Sequence, residues 1–189
     1  MKKITKLLLI AIASVTISSC QKTPVASFTT DKTEYIAGET IKLSNTTTDG
    51  ETFKWTFPDG TTGTTANYDV ITNETDPDAT LTFKLEAFSK NGKKTNSTSK
   101  TVTVKAATGN VIFWALTGST SDVVTVVMNA TSKAISVERD SAPQCGDAEN
   151  ASFSNVKVGS YNYTATDGVD TWTGTVKVKK NTCTSVEIQ

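Results

Sequence analysis

Apolar and polar residues alternate with a period of two along most of the chain. The segments 53–57 (FKWTF) and 81–87 (LTFKLEA) are clear examples. A β-strand directs successive side chains to opposite faces, so this pattern predicts half-buried strands rather than helices. The composition agrees, because 36 Thr and 17 Val among 189 residues are β-branched and suit a pleated surface. The sequence therefore predicts an all-β fold.

Several functions are excluded or disfavoured by composition. The chain has no His, which removes Ser-His-Asp and Cys-His nucleophiles and His-ligated zinc or haem. The 19 basic and 19 acidic side chains balance, and no basic stripe for nucleic acid is visible. A glycosidase needs two carboxylates on opposite sides of a deep cleft, and small β domains with filled interiors do not offer such a cleft. We therefore expect a protein that is not an enzyme and does not bind nucleic acid.

The first twenty residues have the layout of an export signal. Three lysines precede an apolar run at 7–13 that is too short to span a bilayer, so residues 1–19 are interpreted as a cleaved signal peptide. The sequence Ile17-Ser18-Ser19-Cys20 resembles a bacterial lipobox, and the resemblance implies that Cys20 is acylated. An ordinary secretory signal with an incidental Cys is the alternative.

The residues after Cys20 bear on location. An Asp directly after the lipidated Cys would resemble an inner-membrane retention signal, but this position holds Gln21. An outer-membrane anchor is therefore favoured, at the cell surface or on the periplasmic face. The lipidated Cys and its tether, 20–23, are short. The residues between the anchor and the first strand would reach roughly 14 Å when fully extended; they are Gln21, Lys22, Thr23 and Pro24. The folded part should therefore stay close to its membrane.

The remaining chain divides into two predicted domains, 24–105 and 109–189. The break falls where an alternating strand ends in small residues (Ala106-Ala107-Thr108-Gly109) and a new apolar run begins. The predicted fold class is two tandem immunoglobulin-like β-sandwiches after a lipoprotein signal peptide.

The first domain carries motifs of a known family. Gly38-Glu39-Thr40 precedes a strand, residues 55–60 (WTFPDG) join an aromatic strand to a turn, Asn91-Gly92 suggests a type I′ hairpin, and residues 102–104 (VTV) end the segment. This series resembles the PKD (polycystic kidney disease repeat) family, although Pro58 stands where the family usually has Gly. The resemblance implies an immunoglobulin-like sandwich that serves as a spacer or protein-binding module.

The second domain contains seven predicted strands. They cover 111–116, 123–128, 134–138, 151–156, 160–166, 171–178 and 184–188. Residues 159–165 (GSYNYTA) make the segment similar to transthyretin-like or carboxypeptidase-regulatory-like modules. Cys145 and Cys183 form an even pair in an exported chain, which favours a disulfide. A metal-binding or catalytic pair is the alternative, but it lacks His and Cys-x-x-Cys spacing.

Two further groups have both a structural and a functional interpretation. Trp55, Trp114 and Trp172 lie in alternating strands, which favours the core, but an exposed surface would make them candidate binding aromatics. Six acidic residues could offer oxygens to Ca²⁺, although turns also need such residues: Asp49, Asp59, Asp69, Glu74, Asp76 and Asp78. No other cofactor is expected.

Two functions remain in competition. The first is a non-catalytic accessory or protein-binding subunit of an outer-membrane or cell-surface assembly, which should expose an apolar patch or an unprotected edge strand. The second is a glycan-binding or adhesin-like lipoprotein, which should display two or three coplanar aromatics and bind polysaccharide. A purely structural spacer is a third, weaker hypothesis.

Overall fold

The computed structural model describes residues 21–120 and 122–189. The predicted signal peptide, residues 1–19, and the predicted acylation site, Cys20, lie outside the described residues. The all-β prediction is confirmed, since the described chain folds into four sheets that form two immunoglobulin-like sandwiches. Among the described residues, no helix has the length and apolar character needed to cross a bilayer.

The first sandwich pairs a three-stranded sheet with a five-stranded sheet. Its strands are β1 (Phe28–Thr30), β2 (Glu34–Ile36), β3 (Thr40–Asn45), β4 (Thr52–Thr56), β5 (Thr62–Gly63), β6 (Tyr68–Ile71), β7 (Ala79–Phe88) and β8 (Thr95–Lys105). The strand orders are β1-β3-β6 and β2-β8-β7-β4-β5, and the β2–β8 pair is parallel. The four edge strands, β1, β2, β5 and β6, have only two to four residues each.

The core of the first sandwich is built around Trp55. Its ring meets Phe28 edge-on, with centroids 4.9 Å apart, and its indole N–H donates to the Thr65 carbonyl oxygen at 3.1 Å. Tyr68 contacts the same indole, with centroids 6.1 Å apart. Because Tyr68 also fills the space above Gly63, a Cβ added to Gly63 would lie 2.0 Å from the Tyr68 hydroxyl. The aromatic strand β4 is therefore a structural element.

The predicted type I′ turn at Asn91-Gly92 is wrong, although the hairpin itself forms between β7 and β8. A type I′ turn needs two left-handed residues, and here Gly92 has a φ of +69° while Asn91 is not left-handed. The Gly92 N–H donates to the Ser89 carbonyl at 2.7 Å, and the Ser89 N–H donates to the Lys94 carbonyl at 2.9 Å. The connection is therefore a type I turn followed by a left-handed glycine.

Pro58 fits its turn without distortion. The Gly60 N–H donates to the Phe57 carbonyl at 2.9 Å, so Pro58 holds the second position of a four-residue turn, where its fixed φ is favourable. Gly60 follows with a φ of +83°. A Gly at position 58 is not needed for this geometry.

The second sandwich pairs a four-stranded sheet with a three-stranded sheet. Its strands are β9 (Thr108–Ala115), β10 (Val124–Met128), β11 (Thr131–Ile135), β12 (Ala151–Lys157), β13 (Gly159–Thr166), β14 (Thr171–Val178) and β15 (Cys183–Ile188). The orders are β11-β10-β13-β14 and β12-β9-β15, and β15 runs parallel to β9. Phe113 lies at the centre of the core, 4.8 Å from the Tyr163 ring and 5.8 Å from the Phe153 ring.

The third strand of this sandwich differs from its predicted range, 134–138. Asn129 and Ala130 both have positive φ, 50° and 57°, and form a two-residue turn that pairs Met128 directly with Thr131. The strand therefore begins three residues earlier, at Thr131, and ends at Ile135. Alanine is an unusual residue for such a turn, so the sequence carries little signal for it.

The two sandwiches contact each other where β8 leads into β9. Ala107 is buried in the core of the first sandwich, and Val158 of the second sandwich packs against the same core. The Lys180 ammonium donates to the Ala37 carbonyl at 2.9 Å, and the Lys157 ammonium pairs with Asp78 at 2.9 Å. Asp78 also accepts the Ala106 N–H at 2.9 Å, which links the joint to the connecting residues.

Candidate binding surface

The three tryptophans do not form a binding platform. Trp55 is fully buried, Trp114 is 7% exposed, and Trp172 is half-buried against the core of the second sandwich. In the described residues, which include every Trp, Tyr and Phe of the chain, no aromatic side chain is in the exposed class. The interpretation of Trp55 and Trp114 as binding residues is therefore wrong, because both point into packed layers.

Trp114 is buried on the outer face of its sheet, and the segment 139–150 is attached near both ends of that face. This segment, here called the strap, starts with Arg139 bridged to Leu116, just after β9, and it is linked to Cys183 on β15 by the Cys145–Cys183 disulfide. Cys183 lies opposite the start of β9. The strap therefore crosses the face that carries Ile112 and Trp114. The predicted disulfide is present, and it holds this cover in place.

Four of the six acidic residues considered for Ca²⁺ serve turns, an ion pair or the joint between the sandwiches. Asp59 accepts the Thr61 N–H at 2.9 Å, Asp76 accepts the Asn73 N–H at 2.8 Å, and Asp78 lies at the joint between the sandwiches. Asp49 pairs with Lys22 at 3.4 Å. Within the described ranges, no three His, Cys, Asp or Glu side chains are grouped so that they could hold a metal ion.

The loops at one end of the second sandwich form a surface that we call the distal tip. Strand β9 starts beside the first sandwich and ends at Ala115, so the loops that follow lie at the far end of the second sandwich. The register of β10 with β11 and β13 brings three connections together there. The distal tip comprises residues 116–120, 122–123, 136–140 and 167–170.

Glu138 ties two loops of the distal tip together. Its carboxylate accepts the Gly118 N–H at 2.6 Å, the Thr120 N–H at 2.9 Å and the Thr120 hydroxyl at 2.7 Å. These donors lower the pKa of Glu138, the Gly118 N–H having the largest effect. Asp140 adds a second tie by accepting the Thr117 hydroxyl at 2.6 Å.

Acidification is expected to release these loops. The hydrogen bonds require the ionised Glu138 carboxylate, so their stabilisation is complete above the ordinary pKa of 4.5 and is lost as the pH falls through the lowered pKa. Amide NMR signals of Gly118 and Thr120 should shift between pH about 7 and about 2. In Glu138→Gln these shifts should disappear, whereas unchanged signals in the parent chain would contradict the assignment.

Exposed aliphatic side chains are concentrated at the distal tip. Val169 is 81% exposed and Val123 is 52% exposed, and Leu116 and Val137 are also in the exposed class. Val123 and Val137 line a shallow groove of about 370 Å³ together with Thr120 and Ile135. The sequence gives little signal for this cluster, because each residue lies at the end of an alternating run or in a turn, where an apolar side chain does not indicate which face of a strand is exposed.

The charge of the distal tip is negative. Its loops contain five carboxylates and one cation, Arg139, whose guanidinium bonds to Asp147 at 3.1 Å and Glu149 at 2.6 Å in the strap. The surface therefore combines aliphatic side chains with an acidic rim. Its carboxylates belong to Asp122, Glu138, Asp140, Asp167 and Asp170.

Strand β14 continues this surface along one side of the sandwich. It has eight residues, a regular register with β13, and no strand on its other side in the described part of the chain. Lys177 is its one charged residue. Between β14 and β15 lies a groove of about 490 Å³ that reaches from Thr175 to Val186. An edge of this length offers backbone N–H and C=O groups to an incoming strand.

A third groove lies on the opposite side, between β11 and β12. It has a volume of about 650 Å³ and is lined by amide, hydroxyl and ammonium groups, including Asn129, Asn155 and Lys133. Tyr161 is the half-buried aromatic at its margin, and its hydroxyl donates to the Lys157 carbonyl at 2.9 Å. This groove has polar groups but lacks an exposed ring on which a sugar could stack.

Comparison with known proteins shows similarity of fold to several solved structures and no further relationship. No protein-family model matches the chain, and no curated protein matches it. The PKD1 domain of Epp from Vibrio anguillarum is 22% identical over 46% of this chain and 98% of that one, with a TM-score of 0.37. A carbohydrate-binding module of the β-sandwich superfamily is 13% identical over 85% and 86% of the two chains, with a TM-score of 0.42. The Bacillus cereus major pilin subunit BcpA is 11% identical over 87% and 70%, with a TM-score of 0.39.

Proposed function

We propose that this chain is a non-catalytic lipoprotein of the cell envelope that binds a protein partner through the distal tip and the adjoining β14 edge. Acylation at Cys20 would hold it on an outer membrane. The first sandwich, with its PKD-like motifs, would serve as the spacer between the anchor and the binding domain.

The observation that carries this proposal is the pairing of exposed aliphatics with an open edge strand at one end of the second sandwich. Protein interfaces bury apolar side chains at their centre and keep charged groups at the rim, which is the arrangement around Val123 and Val169. The β14 edge adds backbone groups that a partner strand can pair with. Glycan binding is less well supported, since the aromatic rings face inward.

Substitution at the distal tip tests the proposal. In the double variant Val123→Asp/Val169→Asp, two carboxylates would replace the most exposed valines of the distal tip. We expect recovery of the partner from detergent-solubilised membranes to fall about tenfold or more, because buried unpaired charges at an interface are costly. Quantitative mass spectrometry of the copurified proteins is the measurement.

The matched control is Ile71→Asp, which changes an aliphatic residue that is 76% exposed on β6 of the first sandwich. It should leave recovery unchanged. Equal recovery with both variants, or no protein above a control lipoprotein, would contradict the proposal. In that case a glycan array with the Tyr161→Ala variant would test the groove between β11 and β12.

A further inference from the structure

The end of the first sandwich opposite the joint is where the chain leaves its predicted anchor, and we call it the base. The base comprises residues 21–25, 48–51 and 89–94. Val25 and Thr48 exchange two backbone hydrogen bonds of 2.9 and 3.2 Å, which fixes the incoming segment against the first sandwich. The Lys94 ammonium donates to the Gln21 carbonyl, so the segment is held close to the β7–β8 turn.

Four lysines lie around this point of entry. Lys22 and Lys90 line one groove of about 310 Å³ beside Gln21, and Lys93 and Lys94 belong to the same β7–β8 turn as Lys90. All four side chains are exposed. The base also contains two carboxylates, Asp49 and Glu51, so it has an excess of two positive charges.

The distal tip has the opposite charge. Its loops carry five carboxylates and no lysine, whereas the base carries four lysines. The chain is thus polarised along its length, positive where it would meet the membrane and negative where it would meet a partner. An anionic surface would attract the base and repel the distal tip.

We propose that the base contacts the anionic headgroups of the bilayer that holds the acyl chains, and that this contact orients the two sandwiches away from the membrane. The inference rests on the proposed anchoring at Cys20, which directly precedes Gln21. One residue spans at most about 3.6 Å, so acyl chains on Cys20 would place the lysines at headgroup level. Separations of this order lie within the Debye length of about 8 Å at physiological salt.

Amine footprinting of the acylated chain in vesicles tests the contact. The full mature lipoprotein is reconstituted into phosphatidylcholine vesicles with or without phosphatidylglycerol and treated with an acetylating reagent. In anionic vesicles, acetylation of Lys22, Lys90, Lys93 and Lys94 should slow about fivefold or more relative to neutral vesicles, and high salt should reverse the effect. Lys133 and Lys177, exposed on the second sandwich, are internal controls that should not change.

A second arm separates this inference from the anchor itself. The unacylated chain from residue 21 contains all described residues, and its binding to phosphatidylglycerol vesicles should fall about 25-fold in Lys90→Gln/Lys93→Gln. The matched variant Lys133→Gln/Lys177→Gln should bind like the parent chain. If purified protein carries no lipid and does not float with vesicles, the anchor proposal fails, and this second arm alone decides the role of the base.

Two results would overturn the inference. One is equal acetylation of base and control lysines in anionic vesicles. The other is equal loss of vesicle binding in the two double variants, which would indicate a general effect of lysine number.

Discussion

Trp55→Ala is expected to lower the free energy of unfolding of the first sandwich by about 3–5 kcal/mol. The indole is fully buried between the sheets, contacts Phe28 and Tyr68 edge-on, and donates a hydrogen bond to Thr65. Alanine would leave a cavity in the core and would remove the hydrogen bond to the Thr65 carbonyl. Because two sandwiches can unfold separately, native-state hydrogen exchange of β4 and β7 is a better measurement than one melting curve.

Two other variants show whether burial causes the effect. Trp172→Ala removes the same side chain from a half-buried position on β14 and should cost less. Trp55→Phe keeps part of the ring and loses the Thr65 hydrogen bond, so its effect should lie between those of the parent chain and the alanine variant. If hydrogen exchange in β4 is the same in Trp55→Ala as in the parent chain, the assignment of this residue to the core is contradicted.

Removal of the Cys145–Cys183 disulfide is expected to cost the second sandwich about 4 kcal/mol. The bond closes a loop with a sequence separation of 38 residues, and loop-closure entropy in the unfolded chain gives this magnitude. The Cys145→Ser/Cys183→Ser double variant avoids a free thiol. Urea denaturation followed by fluorescence should place its midpoint well below that of the parent chain.

The effect should be strongest at the strap. Without the disulfide, the strap keeps its Arg139 ion pairs but loses its covalent link to β15, so Trp114 should become more accessible to a soluble quencher such as acrylamide. The parent chain treated with a dithiol reductant should behave like the double variant. If both keep the parent midpoint and quenching, the strap is held by its non-covalent contacts alone.

Most strands were predictable, because alternation is a local property of sequence and the sheets follow it. Strands β13 and β14 occupy almost their predicted ranges. Trp55 packs in the core, as expected from the alternation of apolar and polar residues along β4. The errors occur at turns. The left-handed Asn129-Ala130 pair moved the start of β11, and the turn at Asn91-Gly92 uses one left-handed residue rather than two.

The candidate surfaces could not be predicted in the same way. Val123 and Val169 are 46 positions apart in the sequence, and only the register of β10 with β13 brings their loops together. The base likewise combines residues near 22, 49 and 90 through the Val25–Thr48 bridge and the β7–β8 turn. Trp114 lies in a strand that is buried on both faces, because the strap covers the outer one, and alternation alone does not reveal such a cover.

The parallel pairing of β9 with β15 sets the order in which the second sandwich can form. Cys183 to Ile188 lie beside Asn110 to Ala115, so the three-stranded sheet has its central strand at the start of the domain and one partner about seventy residues later. Such distant contacts make folding slow, since the intervening chain must be closed before they are gained. A chain that has been synthesised or exported only as far as β14 has no partner for one side of β9. The second sandwich should therefore close late, in a step that brings Cys183 to Cys145 and completes the cover over Trp114 at the same time.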